Sequence, residues 1–169
     1  MKQLLITIAA LVLVGCGNSE ANQALLDAAK FGNIKAAKEA IADGADVKAI
    51  VDDWTPLHPL SAATWKGHTE IAKLLIAEGS DVNTKDERRE TPLHWAARNG
   101  STQFIELLIA KGGNVNAKDS IEAKFFQATL PSKERTPLDI ATLHKHQQLA
   151  NLLRKNGGKT GEEWKAEMK

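Results

Sequence analysis

Residues 91–100 read T-P-L-H-W-A-A-R-N-G, and this stretch decides the fold of the chain. Thr91 offers a side-chain oxygen that can cap a helix, and Pro92 suits the first helical position, where no backbone donor is needed. Two central alanines allow close packing against a neighbouring helix, and Gly100 marks a helix end. The stretch therefore predicts a short helix that begins at a Thr-Pro pair and ends at a glycine.

A second helix is predicted shortly after Gly100. Apolar residues recur there at spacings of three and four, which is the pattern of an amphipathic helix. These residues are Phe104, Ile105, Leu107, Leu108 and Ile109. We expect both Leu107 and Leu108 in the core, so the basic unit is a helix, a tight turn and a helix.

This unit recurs along the chain. T-P-L appears again at Thr55 and Thr136, and a degenerate copy without it occupies residues 25–47. Glycines after the second helices lie 35 and 33 residues apart, at Gly44, Gly79 and Gly112. Because one helix pair cannot bury its own apolar face, the period predicts that neighbouring pairs stack into a continuous core.

The pattern resembles the ankyrin repeat family in its T-P-L-H-x-A-A-x-x-G helix, its leucine-rich second helix and the G-A-D-V of residues 44–47. The resemblance covers residues 22–159 and implies an all-α ankyrin-repeat solenoid of about four helix-turn-helix units with short finger loops. A finger is the loop that joins one unit to the next. The predicted repeat domain is 23–159, with units 1 to 4 at about 23–53, 54–89, 90–134 and 135–159 and a C-terminal tail at 160–169.

Two departures from the period stand out. Unit 2 carries three additional residues around Pro59. Because a proline there would remove a helical hydrogen bond, we expect its first helix to start irregularly or to restart near Pro59. Twelve residues are inserted within Ser120–Glu134, at the finger between units 3 and 4. This insert holds Phe125 and Phe126, which either contact a partner or fold back to cover a neighbouring repeat.

The N-terminal segment has the pattern of a targeting signal. Residues 4–14 are apolar except for Thr7, but they are too few to span a bilayer, which requires about 20 residues. The L-V-G-C at residues 13–16 resembles the box of a bacterial lipoprotein signal, which implies cleavage after residue 15, lipidation of Cys16 and a short polar tether at residues 16–22. The alternative is a secretory signal or anchor that contains this single cysteine by chance.

Charge and location follow from the same interpretation. Removing Lys2 with the signal leaves 21 of the 22 Lys and Arg against 21 Asp and Glu, so no basic excess indicates a nucleic-acid or anionic-membrane surface. Gly17, rather than aspartate, follows Cys16, which by the rule of enteric bacteria implies the outer membrane, facing the periplasm. We expect a monomer that binds an unidentified protein and no nucleic acid.

The chain shows no clear catalytic or metal-binding motif. G-x-S-x-G and H-E-x-x-H are absent, and the G-K-T at residues 158–160 lacks the preceding glycine of a phosphate-binding loop. His144 and His146 are two residues apart, which is unsuited to one helix face. The family resemblance implies structural hydrogen bonds from His58 and His94 to the adjacent threonines. We therefore expect no enzyme activity, cofactor or metal.

Ankyrin proteins use finger tips and the ends of first helices to contact partners, so the resemblance implies a non-enzymatic protein-interaction module. Trp and Arg, which dominate binding hot spots, are frequent at these positions. The predicted partner-binding residues are Trp54, Trp65, Lys66, Glu87, Arg88, Arg89, Glu90, Trp95, Arg98, Asn99, Phe125, Phe126, Arg135, Leu143 and His144. Trp95 can instead pack between repeats. The alternative functions are an immunity or inhibitor protein and an envelope enzyme with an unconventional site.

The lipoprotein interpretation predicts that Cys16→Ser abolishes lipid attachment and membrane retention, because the thiol that receives the lipid is removed. Metabolic labelling with palmitate measures this directly. Undiminished labelling of the Cys16→Ser protein would show that the interpretation is wrong.

Overall fold

The computed structural model describes residues 19–51, 57–120 and 134–167. These residues form nine helices, paired into four helix-turn-helix units and followed by one terminal helix. The helices are α1 (Ser19–Phe31), α2 (Ile34–Ala42), α3 (Pro59–Lys66), α4 (Thr69–Ala77), α5 (Pro92–Asn99), α6 (Thr102–Ala110), α7 (Pro137–Leu143), α8 (Gln147–Lys155) and α9 (Gly161–Glu167). The predicted all-α repeat stack is confirmed.

The helices begin and end where the local sequence predicts. α5 starts at Pro92 after the N-cap Thr91 and ends at Gly100, which takes the left-handed conformation with φ 70°. α3 has Pro59 as its first helical residue, so the helix begins at the position where the sequence predicts an irregular start or a restart. α7 starts at Pro137 after Thr136, whose side chain accepts a hydrogen bond from the Asp139 amide.

The four first helices, α1, α3, α5 and α7, pack side by side, whereas the second helices contact one another less. The first helices therefore form the inner row of a curved stack, and the second helices form the outer row. One continuous apolar core runs through all four units. Leu60, Leu93 and Leu138 each follow the proline that starts a first helix, and each is at most 1% exposed.

A repeated polar contact joins neighbouring units at the turn between their helices. In three successive units, the carbonyl two residues before the turn glycine accepts a hydrogen bond from a side chain of the next unit. The three bonds run from His68 Nε2 to Lys30 O (3.2 Å), from Asn99 Nδ2 to Trp65 O and from His146 Nε2 to Arg98 O (3.1 Å). The contact satisfies carbonyls that a helix end leaves unpaired.

Glycine is required at two of these turns for two reasons. Gly32 and Gly100 have φ of 79° and 70°, which side chains with a Cβ adopt rarely. The rings of His68 and His146 also lie so close that an added Cβ would stand 2.6 Å and 2.7 Å from them. These glycines therefore allow the next unit to dock against the turn.

Asparagines in the fingers make a second repeated contact. Asn83 accepts a hydrogen bond from the Asn114 amide (2.7 Å) and donates to the Gly112 carbonyl (3.1 Å). Asn116 repeats this pair one unit later, with the Lys159 amide (2.8 Å) and the Gly157 carbonyl (2.9 Å). The insert in the finger between units 3 and 4 therefore leaves the stacking of unit 4 unchanged.

The two ends of the stack are capped. In unit 1, Lys35, Lys38 and Glu39 are exposed on α2. At the other end, the tail forms the short helix α9, and Gly161 N–H donates to Asp139 Oδ2 (2.8 Å) at the start of unit 4. The tail thus covers the last unit.

Two expectations need correction. The residues Ser19–Asn22 are helical rather than an extended tether, and Asn22 Oδ1 accepts a hydrogen bond from the Asp46 amide (2.7 Å). Leu107 is only half-buried, whereas Leu108 is fully buried, because α6 turns Phe104, Ile105 and Leu108 toward the core.

Several predicted features lie outside the described residues. These are the signal segment with Cys16, residue Trp54, and the insert residues Phe125 and Phe126. None of the helices in the described part of the chain has the length and hydropathy needed to cross a membrane.

The core position of Leu108 predicts a large effect on stability. Leu108→Ala should lower the free energy of unfolding by about 2 to 5 kcal/mol, the usual range for truncation of a buried leucine. Leu107→Ala should lower it less, and Glu106→Ala, at an exposed position of the same helix, should change it little. Urea unfolding measures all three, and equal losses for the two leucines would contradict the described core face.

Candidate functional site

The predicted partner-binding residues do not share one environment. Trp65 is 37% and Leu143 is 63% exposed. The other exposed members are Lys66, Glu87, Arg88, Arg89, Asn99 and His144. Arg98 and Arg135 are half-buried, whereas Glu90 and Trp95 are buried. The surface position predicted for Glu90 is therefore wrong, and the burial of Trp95 agrees with the alternative that it packs between repeats.

Four side chains form a contiguous row across the ends of α3 and α5. The ammonium of Lys66 lies 4.0 Å from the centre of the Trp65 ring, and the Trp65 and Trp95 rings are 5.5 Å apart with a 44° tilt. The guanidinium of Arg98 lies 4.8 Å from the Trp95 ring. These distances are in the range of cation–π and tilted aromatic contacts, so the aromatic–cation row of Lys66, Trp65, Trp95 and Arg98 links units 2 and 3.

The finger between units 2 and 3 holds Trp95 in place. Trp95 Nε1–H donates to Asp86 Oδ2 (3.2 Å), while Asp86 Oδ1 accepts from the Arg88 and Glu90 amides (2.9 and 2.8 Å). Burial raises the pKa of the Asp86 carboxyl above its ordinary value, and these hydrogen bonds act in the opposite direction. Asp86 therefore shapes the finger and fixes the ring with one carboxylate, which confirms that Trp95 has a packing role.

Glu90 is an internal ion-pair partner rather than a surface group. Its side chain is 1% exposed, contacts the Arg98 guanidinium directly and lies 3.8 Å from Arg135 Nη2. Burial raises the pKa of the Glu90 carboxyl, and the charge of Arg98 is the main influence that lowers it. Glu90 thus holds Arg98 in position beneath the Trp95 ring.

Asp119 and Arg135 close the base of the insert. Arg135 Nη2 and Nε donate to Asp119 Oδ2 (2.7 and 3.0 Å), and the two backbones also bond, with Asp119 N–H donating to Arg135 O (3.0 Å). Ser120 N–H donates to Arg88 O (2.8 Å), which ties the same point to the finger between units 2 and 3. The described residues on either side of the insert are therefore joined into a closed neck.

His94 has a structural role. Its Nδ1 accepts a hydrogen bond from Thr91 N–H (3.0 Å) and lies 2.8 Å from Thr91 Oγ1, as predicted, so Nε2–H donates to Arg135 O (3.2 Å). Burial lowers the pKa of His94 to about 4, although the Arg135 carbonyl and the Asp119 charge favour the protonated ring. Both ring nitrogens are occupied by the fold, so His94 joins unit 3 to unit 4 and is not placed to transfer protons.

His58 also bonds to the backbone, with Nδ1 2.9 Å from Lys48 O, while the threonine predicted as its partner lies outside the described residues. His58 borders a cleft of about 200 Å³ that is also lined by Lys48, Ser80 and Asp81. Burial lowers the pKa of His58. Within the described ranges, no three His, Cys, Asp or Glu side chains are grouped so that they could hold a metal ion.

A sequence model of ankyrin repeats matches this chain in three copies, at residues 3–86, 25–119 and 60–162. Together the three matches extend from residue 3 to residue 162 of 169. The chain belongs to the ankyrin repeat family. Ankyrin repeats indicate a protein–protein interaction module, and the helix ends and fingers described above are the surfaces that such repeats expose.

Two curated mammalian ankyrin proteins resemble part of this ankyrin chain. Protein phosphatase 1 regulatory subunit 12A of Mus musculus is 50% identical over 52 residues, which are 31% of this chain and 5% of that protein. Fibronectin type 3 and ankyrin repeat domains 1 protein of Mus musculus is 48% identical over 48 residues, or 28% of this chain and 13% of that protein. The chain thus aligns with only a small part of each relative.

Sequence reasoning missed three residues of this ankyrin surface. Asp86 and Asp119 fix the finger and the neck, but they pair with Trp95 and Arg135 over sequence distances that carry no local signal. The unusual position of Lys145 could have been recognised from the sequence, because units 1 to 3 have the turn glycine at the equivalent position. It adopts the same left-handed conformation, with φ 61°.

The lowered pKa of His94 predicts that the chain loses stability in acid. With 6.5 as the ordinary value and about 4 in the folded state, the unfolded chain binds more protons between these pH values. The free energy of unfolding should therefore fall as the pH decreases from 7 to 4, with His94 contributing up to about 3 kcal/mol of that loss at about 1.36 kcal/mol per unit.

The matched control is His94→Gln, which keeps an acceptor for the Thr91 amide but does not titrate. Protonation of Asp86 and Glu90 stabilises the fold in acid, but it affects both proteins equally. The difference in unfolding free energy between the two proteins should shrink from pH 7 to pH 4. A difference that stays constant across this range would show that His94 is not buried in its neutral form.

Proposed function

We propose that this chain is a non-enzymatic binding protein that recognises a partner protein through the ends of α3, α5 and α7 and the finger at residues 86–90, called here the inner surface. The proposal rests mainly on the aromatic–cation row. Trp65 and Lys66 are exposed at one side of it, while Trp95 and Arg98 are held from below by Asp86 and Glu90.

This arrangement has the features of a binding hot spot. Large aromatic and cationic groups are enriched at such sites because they bury much area and still offer donors. A rigid base reduces the conformational entropy that is lost on binding. The hydrogen bonds and ion pairs beneath the row supply that rigidity, because they fix Trp95 and Arg98 before any partner arrives.

Leu143 and His144 extend the inner surface into unit 4. Leu143 is 63% exposed at the end of α7, and the neighbouring His144 ring lies parallel to His146 at 6.1 Å. His146 in turn bonds to Arg98 O, so the helix ends of units 3 and 4 are directly connected. A partner that covers the row would therefore also reach the exposed leucine.

We further propose that a lipid on Cys16 attaches the protein to the bacterial envelope, with the repeats facing the periplasm. The support is the L-V-G-C box after an apolar segment that is too short to span a bilayer. Because α1 begins at Ser19, only residues 16–18 precede the described stack, and the inner surface would be held close to the membrane.

Site-specific photo-cross-linking in intact envelopes tests the binding surface. With p-benzoylphenylalanine in place of Leu143, irradiation should yield a covalent adduct with the partner protein, because this exposed position lies on the inner surface. The matched control places the same group at Glu106, which is exposed on the outer row. Adducts from position 106 alone would contradict the proposed surface.

A further inference from the structure

The inner surface combines exposed cations with exposed apolar groups. Lys66, Arg88 and Arg89 are exposed on it, and Lys145 is exposed in the turn directly after α7. Among the described residues of these helix ends and this finger, Glu87 is the one exposed carboxylate. Glu90 and Asp119 are buried and Asp86 is half-buried, and the three are bonded to Arg98, Arg135 and the finger amides, respectively. These acids therefore support the scaffold, and the exposed charges of the surface are mainly positive.

The outer row has a different charge pattern. Lys35 pairs with Glu39 (3.8 Å) and Lys73 with Glu70 (2.8 Å), each within one turn of the same helix. Among the described residues, Lys66, Arg89 and Lys145 form no ion pair. The outer row also exposes cations such as Lys38 and Lys155, but it exposes the carboxylates of Glu39, Glu70 and Glu106 as well. The inner surface therefore has the larger excess of exposed cations over exposed carboxylates.

His144 lies near further cationic groups of units 3 and 4. After partial desolvation, the charges of Arg98, His146 and Arg135 lower the pKa of its ring. An anionic group beside His144 would raise the pKa of the ring instead.

From this distribution we infer that the inner surface binds an acidic peptide segment of the partner protein, one that carries aliphatic or aromatic side chains between its carboxylates. This inference rests on the proposed function and specifies the chemistry of the partner. Carboxylates would pair with Lys66, Arg89 and Lys145, and apolar side chains would pack against the exposed parts of Trp65 and Leu143.

The same groups fit a peptide better than a nucleic acid. Stacking of a base requires an open aromatic face. The Trp65 ring is covered by the Lys66 ammonium at 4.0 Å and by the tilted Trp95 ring at 5.5 Å, and Trp95 is only 9% exposed. What remains accessible is part of the Trp65 ring and the Leu143 side chain, which suit contact with another side chain.

Selection of binders from a random peptide display library on the full-length chain tests the inference. The enriched peptides should be net negative and should contain apolar residues. Their affinity, measured by fluorescence anisotropy, should fall with added salt, because exposed ion pairs are screened. Lys66→Glu combined with Lys145→Glu should weaken them at least tenfold, or ~1.4 kcal/mol.

The control pair is Lys38→Glu with Lys155→Glu, which makes the same change of net charge on the exposed side of α2 and α8 and should leave binding unchanged. Far-UV circular dichroism confirms that both double variants are folded. Enrichment of neutral or basic peptides, no enrichment at all, or tighter binding of oligouridine or phosphatidylglycerol vesicles than of the acidic peptides would overturn the inference. If a partner still cross-links through position 143 in that case, the proposed function stands and only the acidic chemistry fails.

Discussion

Each helix pair of this chain has an apolar face that only a neighbouring pair can cover. Leu60, Leu93 and Leu138 show the consequence, because these equivalent leucines of three successive first helices are all buried in one continuous core. Stacking, rather than the stability of any single pair, therefore determines the fold. The two ends of the stack have no further pair to cover them. At one end α2 is polar, and at the other end α9 packs over unit 4.

Polar contacts set the register of the stack. The carbonyls of Lys30, Trp65 and Arg98 each accept a hydrogen bond from the next unit, so the same contact repeats at three interfaces. The donor is a histidine at two of them and Asn99 at the third. Because these bonds use backbone carbonyls, they do not depend on the side chains that precede the turn. These contacts between units therefore leave the chemistry of the surface side chains open, which allows a repeated scaffold to carry a specific surface.

Much of the fold was predictable from local sequence. The helix starts at Pro59, Pro92 and Pro137 follow from proline geometry, and the ends at glycines follow from the left-handed turn. The site was less predictable. Glu90 is a charged residue in a finger, which predicts an exposed side chain. It is buried because Arg98 and Arg135 form ion pairs with it, and Arg135 is 45 positions away across the insert. Periodicity indicates which face of a helix is apolar, but not which charges meet when units stack.

Because one continuous core joins the four units, they should unfold as one cooperative structure that presents the inner surface as a rigid whole. Equilibrium unfolding in urea, followed both by tryptophan fluorescence and by far-UV circular dichroism, tests this most directly. The first probe reports on the four tryptophans, and the second reports on all helices. The two transitions should coincide, as two-state unfolding requires. Transitions with separate midpoints would show that the units unfold independently, and the stacked core could not then be what holds the surface together.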